Sequence, residues 1–238
     1  MGSMWIRLFL NLLLSHLVGD FLLQTDSLCA KKRERRFRCG FLYAHSLIIA
    51  ALSLLAFWHP SFWPWALAIG AAHFIIDGIK ACVRKDSVWL FVSDQILHIV
   101  ILAVVSYICV ERCAWTAPDW QTDQAMMVIA LASAAMICWK PANILIRYIL
   151  QYCKMVIPAD NSSLFHAGKL IGTLERWLIL SFLVIGRYEV IGFLIAAKSI
   201  IRFGEKDKDQ TEYFLAGTLL SISIAVACGL VLGMIVKG

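Results

Sequence analysis

Three short segments of this 238-residue chain place a histidine and an aspartate four residues apart. They are His16 with Asp20, His73 with Asp77 and, in reverse order, Asp94 with His98. Residues at this spacing lie on one face of a helix, so each pair projects toward one side. Imidazole nitrogen and carboxylate oxygen together are ligands for divalent cations such as zinc, manganese or iron. The same groups also serve proton relays and interhelical hydrogen bonds, so all three uses stay open at this point.

The composition places these pairs in a membrane. Hydrophobic residues make up 61% of the chain and the mean hydropathy is +0.76, which excludes an ordinary soluble domain. We predict an all-α, polytopic membrane helix bundle of about eight transmembrane helices in one domain, 1–238. Residues 1–110 form its site-bearing half and 111–238 its C-terminal half. The apolar windows are 4–24, 41–57, 64–83, 88–110, 125–140, 170–186, 188–202 and 212–236.

The distribution of Lys and Arg predicts the orientation. Connections after odd-numbered spans carry fifteen of these residues, and those on the opposite side carry four. The positive-inside rule then puts the first set in the cytoplasm and both termini on the periplasmic side of a bacterial inner membrane. The basic run 31–38 follows from this rule and from anionic lipid headgroups, so we expect no nucleic-acid partner. A homo-oligomer is compatible with the pattern.

Depth groups the three pairs into one site. At 1.5 Å per residue from the cytoplasmic ends, the histidines lie roughly 13 to 15 Å deep and the aspartates roughly 7 to 9 Å deep. The reversed pair sits on a helix that runs the opposite way, which keeps each residue type at its own depth. His45, near the start of the second span, extends the set. We also predict an internal repeat, in which spans one and two resemble spans three and four.

The predicted site therefore has seven candidate metal ligands, namely His16, Asp20, His45, His73, Asp77, Asp94 and His98. A bound metal polarises a substrate and activates water. The candidate catalytic residues are Asp20, Asp77, Asp94 and Lys80. The candidate substrate-binding residues are Gln24, Gln95, Arg176 and Lys198. For the C-terminal cations, we favour pairing with a carboxylate such as Glu175 or Glu212 over an anion clamp.

The motifs HxxxDFxxQ from His16, HxxxDxxK from His73 and DQxxH from Asp94 resemble a bacterial multi-pass membrane family of unknown function. The C-terminal segments 172–176, 191–199 and 212–218 are similar to the same family. More distantly, paired membrane His and Asp residues are similar to membrane-bound metal-dependent hydrolases. That likeness implies a metal-dependent hydrolase, for which we expect a phosphorylated or acylated lipid or a small anionic substrate.

Three functions follow as alternatives. The first is a metal-dependent hydrolase that works from a cytoplasm-facing pocket on membrane lipid or a lipid-like substrate. The second is a metal-ion or proton transporter that uses the same residues. The third is a structural or signalling membrane module. A transporter needs a polar route to the far side, and the outer halves of the spans are almost entirely apolar, which favours a one-sided pocket.

Overall fold

The structure is a computed structural model, which describes residues 4–57, 59–83, 86–113, 121–155, 162–202 and 208–237. All regular structure in these ranges is helical, so the all-α fold class is confirmed. The chain forms two compact units, Met1–Ser133 and Ala134–Lys237.

The first unit is built from six helices and short connections. Helix α1 runs directly into a π-helical turn at Val18–Leu22, and a 3₁₀ turn at Arg36–Arg38 precedes α3. The segment after the first span, expected to be a basic connection, contains helix α2. The helices are α1 Met4–Leu17, α2 Asp26–Arg35, α3 Gly40–Phe57, α4 Trp63–Cys82, α5 Val88–Cys113 and α6 Asp123–Ile137, whose last turn enters the second unit.

The second unit begins with the last turn of α6, and a two-residue turn then leads into α7. A proline near the start of α7, Pro141, suits the first turn of a helix because its missing N–H needs no partner there. The sequence interpretation ended the fifth span at 140, but helix resumes through Tyr152. The helices of this unit are α7 Lys140–Tyr152, α8 Ser162–Val184, α9 Tyr188–Arg202 and α10 Lys208–Lys237.

Within the described ranges, six helical segments are long and apolar enough to cross a membrane. They do not include α8, which carries Lys169, Glu175 and Arg176, or α9, which has 15 residues. A membrane protein is therefore supported, and the count of eight spans is not confirmed. The six segments are Met4–Leu22, Gly40–Phe57, Trp63–Cys82, Val88–Arg112, Asp123–Tyr152 and Thr211–Ile235.

Helices α3 and α4 pack closely because small residues line their contact. A Cβ added at Gly70 of α4 would lie 2.9 Å from the Cβ of Ala50 and 2.9 Å from the backbone oxygen of Ser46, both on α3. Small residues let two helix backbones approach in this way, which matters in lipid, where burial of apolar surface drives little association. This contact holds His45 on α3 beside His73 on α4.

Replacement of Gly70 by Ala should lower the stability of the first unit. The added methyl group has no space on α3, and overpacking of this kind costs about 1–3 kcal/mol. The thermal unfolding midpoint in detergent should fall. Gly192→Ala on α9 is the matched control, because nothing lies within 4 Å of a Cβ there and its midpoint should hold or rise. Equal midpoints for the two variants would contradict the close α3–α4 contact.

Candidate functional site

Four imidazoles and three carboxylates meet within the first unit, where α1, α3, α4 and α5 come together. The four histidine side chains are all buried, as are Asp77 and Asp94. Each of three sets offers donor atoms that lie within 4.8 Å of one another, and together the sets contain all seven predicted metal ligands. The sets are His16, Asp20 and His73; His45, His73 and Asp77; and Asp77, Asp94 and His98.

The π-helical turn sets the position of Asp20. The backbone N–H of Leu23 donates to the Val18 oxygen at 3.0 Å, a bond across five residues in place of the usual four. Gly19 packs against Ile49 of α3 with no room for a Cβ, which brings this turn close to α3. Because a π turn holds more residues than an α turn, Asp20 departs from the simple i, i+4 position. Its carboxylate lies 3.8 Å from His16 and closer to α3 and α4.

A chain of hydrogen bonds fixes the tautomer of His73. The Nδ1–H of His98 donates to the backbone oxygen of Asp94 at 2.8 Å, because a carbonyl can only accept. His98 Nε2 then carries a lone pair, and it accepts from the Nδ1–H of His73 at 2.5 Å. A neutral His73 is consequently unprotonated at Nε2. This assignment follows from the hydrogen-bond network, as tautomer assignments generally do.

The lone pair of His73 points into a triangle of three donor atoms. Its Nε2 lies 2.9 Å from Asp20 Oδ1 and 3.1 Å from His45 Nε2. The third side, from His45 Nε2 to Asp20 Oδ1, is 3.1 Å. Three helical elements thus supply one atom each: the π turn, α3 and α4.

No arrangement of protons makes all three contacts of this triangle favourable hydrogen bonds. If both imidazoles donate to Asp20, their two N–H groups face each other across 3.1 Å. If either nitrogen is unprotonated, its lone pair faces the carboxylate oxygen. One cation above the triangle would satisfy all three atoms at once. Neighbouring donors of a tetrahedral site with bonds of about 2.0–2.1 Å lie roughly 3.3–3.4 Å apart, so a small movement accommodates such an ion.

His16 is a further donor beside the triangle. Its Nε2 is buried and has no hydrogen-bond partner in the described part of the chain, and its ring stacks on His98 with centroids 4.9 Å apart. A cavity of about 10 Å³ lies against His16, His73 and His98, and apolar residues form its other walls. A volume of this order holds a single water or ion. An unpaired buried nitrogen is costly, so His16 also fits a ligand better than a structural residue.

Two of the three carboxylates are neutralised by lysines. Asp94 Oδ2 accepts from Lys80 at 2.6 Å and from Gln95 at 2.9 Å, while its buried Oδ1 has no hydrogen-bond partner among the described residues. Asp77 Oδ2 accepts from Lys32 and lies 3.8 Å from His45 Nε2. Lys80 and Gln95 therefore each contact Asp94 rather than the triangle. Their predicted roles in catalysis and substrate binding stay predictions.

Lys32 is the site residue that the sequence interpretation missed. It lies within the basic run 31–38, which the positive-inside rule explains by topology alone. In the structure its side chain is buried, whereas Lys31 and Arg33 beside it are exposed. Leu28 precedes it by four residues on the same face of α2, and this spacing was the available signal.

Three predicted substrate-binding residues have other partners. Gln24 donates to Cys29 Sγ at 2.7 Å and so fastens the π turn to α2. In the second unit, Lys198 pairs with Glu175, the pairing favoured above. Arg176 is buried there and donates to the Cys138 backbone, Ser221, Asn143 and Thr173. These contacts show structural roles, and substrate binding by the three residues stays a prediction.

Comparison with known proteins bears on the first unit. A family model described as "Protein of unknown function (DUF3307)" matches residues 8–126, half of the chain. The chain belongs to this family. The match contains all seven predicted ligands and ends before the C-terminal segments that were also expected to resemble the family. No curated protein and no solved structure matches the chain. The likeness to metal-dependent hydrolases stays a prediction.

The hydrogen-bond chain predicts an unusual tautomer for His73. Its Nδ1 should carry the proton and its Nε2 should not, which ¹⁵N NMR of histidine-labelled protein in micelles distinguishes by chemical shift. His98→Leu removes the acceptor and should shift His73 toward the Nε2–H form. His59 is an internal control with the opposite tautomer, because the Ser61 N–H donates to its Nδ1 at 3.3 Å. A protonated His73 Nε2 in the unsubstituted protein would disprove the assignment.

Proposed function

We propose that the first unit binds a divalent metal ion between Asp20, His45 and His73. The single observation that carries this proposal is the triangle of donor atoms with sides of 2.9, 3.1 and 3.1 Å. His16, whose Nε2 has no hydrogen-bond partner among the described residues, is the nearest candidate for a fourth ligand. His98 acts behind His73 as the group that orients it, the usual arrangement in metal sites.

The charges around the site support a cation at this position. Asp77 and Asp94 each have a lysine, whereas Asp20 has only imidazole nitrogens as ion-pair partners among the described residues. A buried carboxylate without compensation is costly, especially at membrane depth. A metal ion supplies the missing positive charge. Two or three nitrogens and one oxygen suit zinc, manganese or iron.

The surroundings favour hydrolysis over transport. On the side away from the lysines, an apolar core continues directly from the imidazoles. Leu12, Ile69 and Leu102 each lie four residues from a site histidine, and beyond them the rings of Phe57 and Phe62 stack at 4.2 Å. An ion crossing this layer would lose its coordination without replacement. A metal in a pocket with one polar side can instead activate water for attack on a substrate.

As a hydrolase, the protein would act on a lipid or a small phosphorylated or acylated anion. Asp20, His45 and His73 would hold the ion, and the ion would supply activation of a water for attack on the acyl or phosphoryl centre. Asp77, beside His45, would accept the proton of that water and return it to the leaving group. Asp94 and Lys80 flank this position.

For topology, we propose eight spans in a bacterial inner membrane, with the basic connections in the cytoplasm and both termini periplasmic. Arg84, Lys85 and Lys206 of that basic set lie outside the described residues. Lys140 and Arg147 of that set lie on α7, which follows the two-residue turn after α6 within the segment Asp123–Tyr152. The proposed repeat is supported because α1 with α3, and α4 with α5, each contribute two imidazoles.

Metal analysis tests the proposed site. Purified protein should retain close to one divalent ion per chain by elemental analysis, and His73→Ala or His45→Ala should abolish retention. His16→Ala should weaken it, and His98→Ala should weaken it by about 10–100-fold through loss of orientation. His59→Ala is the matched control because His59 is exposed and its hydrogen bonds in the described part of the chain go to Ser61. Equal metal content in the His73 and His59 variants would refute the site.

Proteoliposomes separate hydrolysis from transport. We expect no metal uptake into vesicles that contain the unsubstituted protein, because apolar side chains, among them Leu12, Ile69 and Leu102, lie directly beyond the imidazoles. Phe57→Ser introduces a hydroxyl into this apolar layer, and metal uptake by this variant is compared with uptake by the unsubstituted protein. Uptake by the unsubstituted protein that is lost in His73→Ala would favour the transporter.

A further inference from the structure

We propose that the metal-loaded site binds a single oxyanion group through Lys32, which α2 carries into the pocket. This inference rests on the proposed metal site and specifies what that site holds in addition. The group is a phosphate, either free or on a lipid headgroup. Lys32 is then a substrate-binding residue that donates directly to the anion, while its Asp77 contact keeps it in place.

Lys32 has more hydrogen-bond donors than acceptors around it, which indicates room for a ligand. An ammonium group has three N–H donors. The side chain is buried, yet among the described residues it donates to one acceptor, Asp77. Phe41 adds a ring face 6.0 Å from Nζ, which is a weak contact at that distance. Two donors therefore remain for a group that enters between α2 and the carboxylates.

The charge balance of the pocket gives the sign of this ligand. Three carboxylates and two lysines leave one negative charge while the imidazoles are neutral. A divalent ion changes this to one positive charge. A buried excess charge in a membrane protein is unfavourable in either direction. The loaded pocket is neutral when one monoanionic group enters with or after the metal.

The geometry of α2 provides access for an anion. Its outer surface carries the exposed residues Lys31, Arg33 and Arg35, and it lies on the side of the lysine–carboxylate pairs. A basic surface raises the local concentration of anions near the entrance. The Gln24–Cys29 bond and the Arg33–Asp86 ion pair of 2.6 Å anchor the helix at two points one turn apart. Lys32 is the residue of this surface that reaches inward.

Calorimetric titration with inorganic phosphate tests the proposal, on detergent-solubilised protein reloaded with the divalent ion that it retains. The key variant is Lys32→Met with Asp77→Asn, which removes the buried pair together and keeps the net charge of the pocket unchanged. It should lose phosphate affinity by about ten- to a hundredfold, the worth of one charge-assisted hydrogen bond. Metal content is measured on the same samples.

The matched control is Lys31→Met, the exposed neighbour on the same helix. It removes a surface charge and should leave phosphate affinity within about twofold. Equal losses in the control and the double variant would overturn the proposal, because the effect would then belong to the basic surface. Lys32→Arg retains a cationic donor and should keep most of the affinity, which separates donor loss from misfolding.

Two further arms identify the source of the phosphate. Short-chain phosphatidic acid is compared with short-chain phosphatidylcholine in the same titration. Lys32-dependent binding of inorganic phosphate supports a free anion, and such binding of phosphatidic acid alone supports a headgroup. Metal retention without Lys32-dependent binding of either overturns the anion site but leaves the metal site intact. Failure to retain metal overturns the proposed function and this inference together.

Discussion

The structure of the first unit depends on charge compensation for three buried carboxylates. Each carboxylate lies where water is scarce, so each needs a cation or a full set of donors. Lys32 compensates Asp77 and Lys80 compensates Asp94. Asp20 has imidazoles instead, and the lone pair of a neutral His73 faces its oxygen across 2.9 Å. The unmet requirement at Asp20 is what favours the proposed metal ion over a set of interhelical hydrogen bonds.

Helical spacing made most of this site predictable from sequence. His and Asp four residues apart must share a face, and the reversal on α5 follows from its opposite direction. The structure brings all seven residues together, and the sequence of residues 8–126 matches a family of unknown function. The fold class follows equally from composition. Residue spacing does not tell which groups bind metal and which support them, because that depends on which nitrogen carries the proton.

Three features lay beyond sequence reasoning for physical reasons. The π turn at Val18–Leu22 arises from the approach of Gly19 to α3, a tertiary contact that no local pattern reveals. Lys32 is buried by the folding of a connection over the pocket, although its neighbours are ordinary solvated cations. Pro141 begins a new helix rather than ending a span, since the outcome at a proline depends on the chain before it.

Asp94 links Lys80 at one end of the pocket to His73 at the other. Asp94 contributes its side chain to Lys80 and its backbone oxygen to His98, which in turn holds His73. A backbone oxygen within a helix moves little, so the lone pair of His73 is fixed by α5 rather than by a flexible side chain. Preorganised ligands bind metal with less loss of conformational entropy. A repacking of α5 against α4 would therefore alter metal affinity even if every ligand remained in the chain.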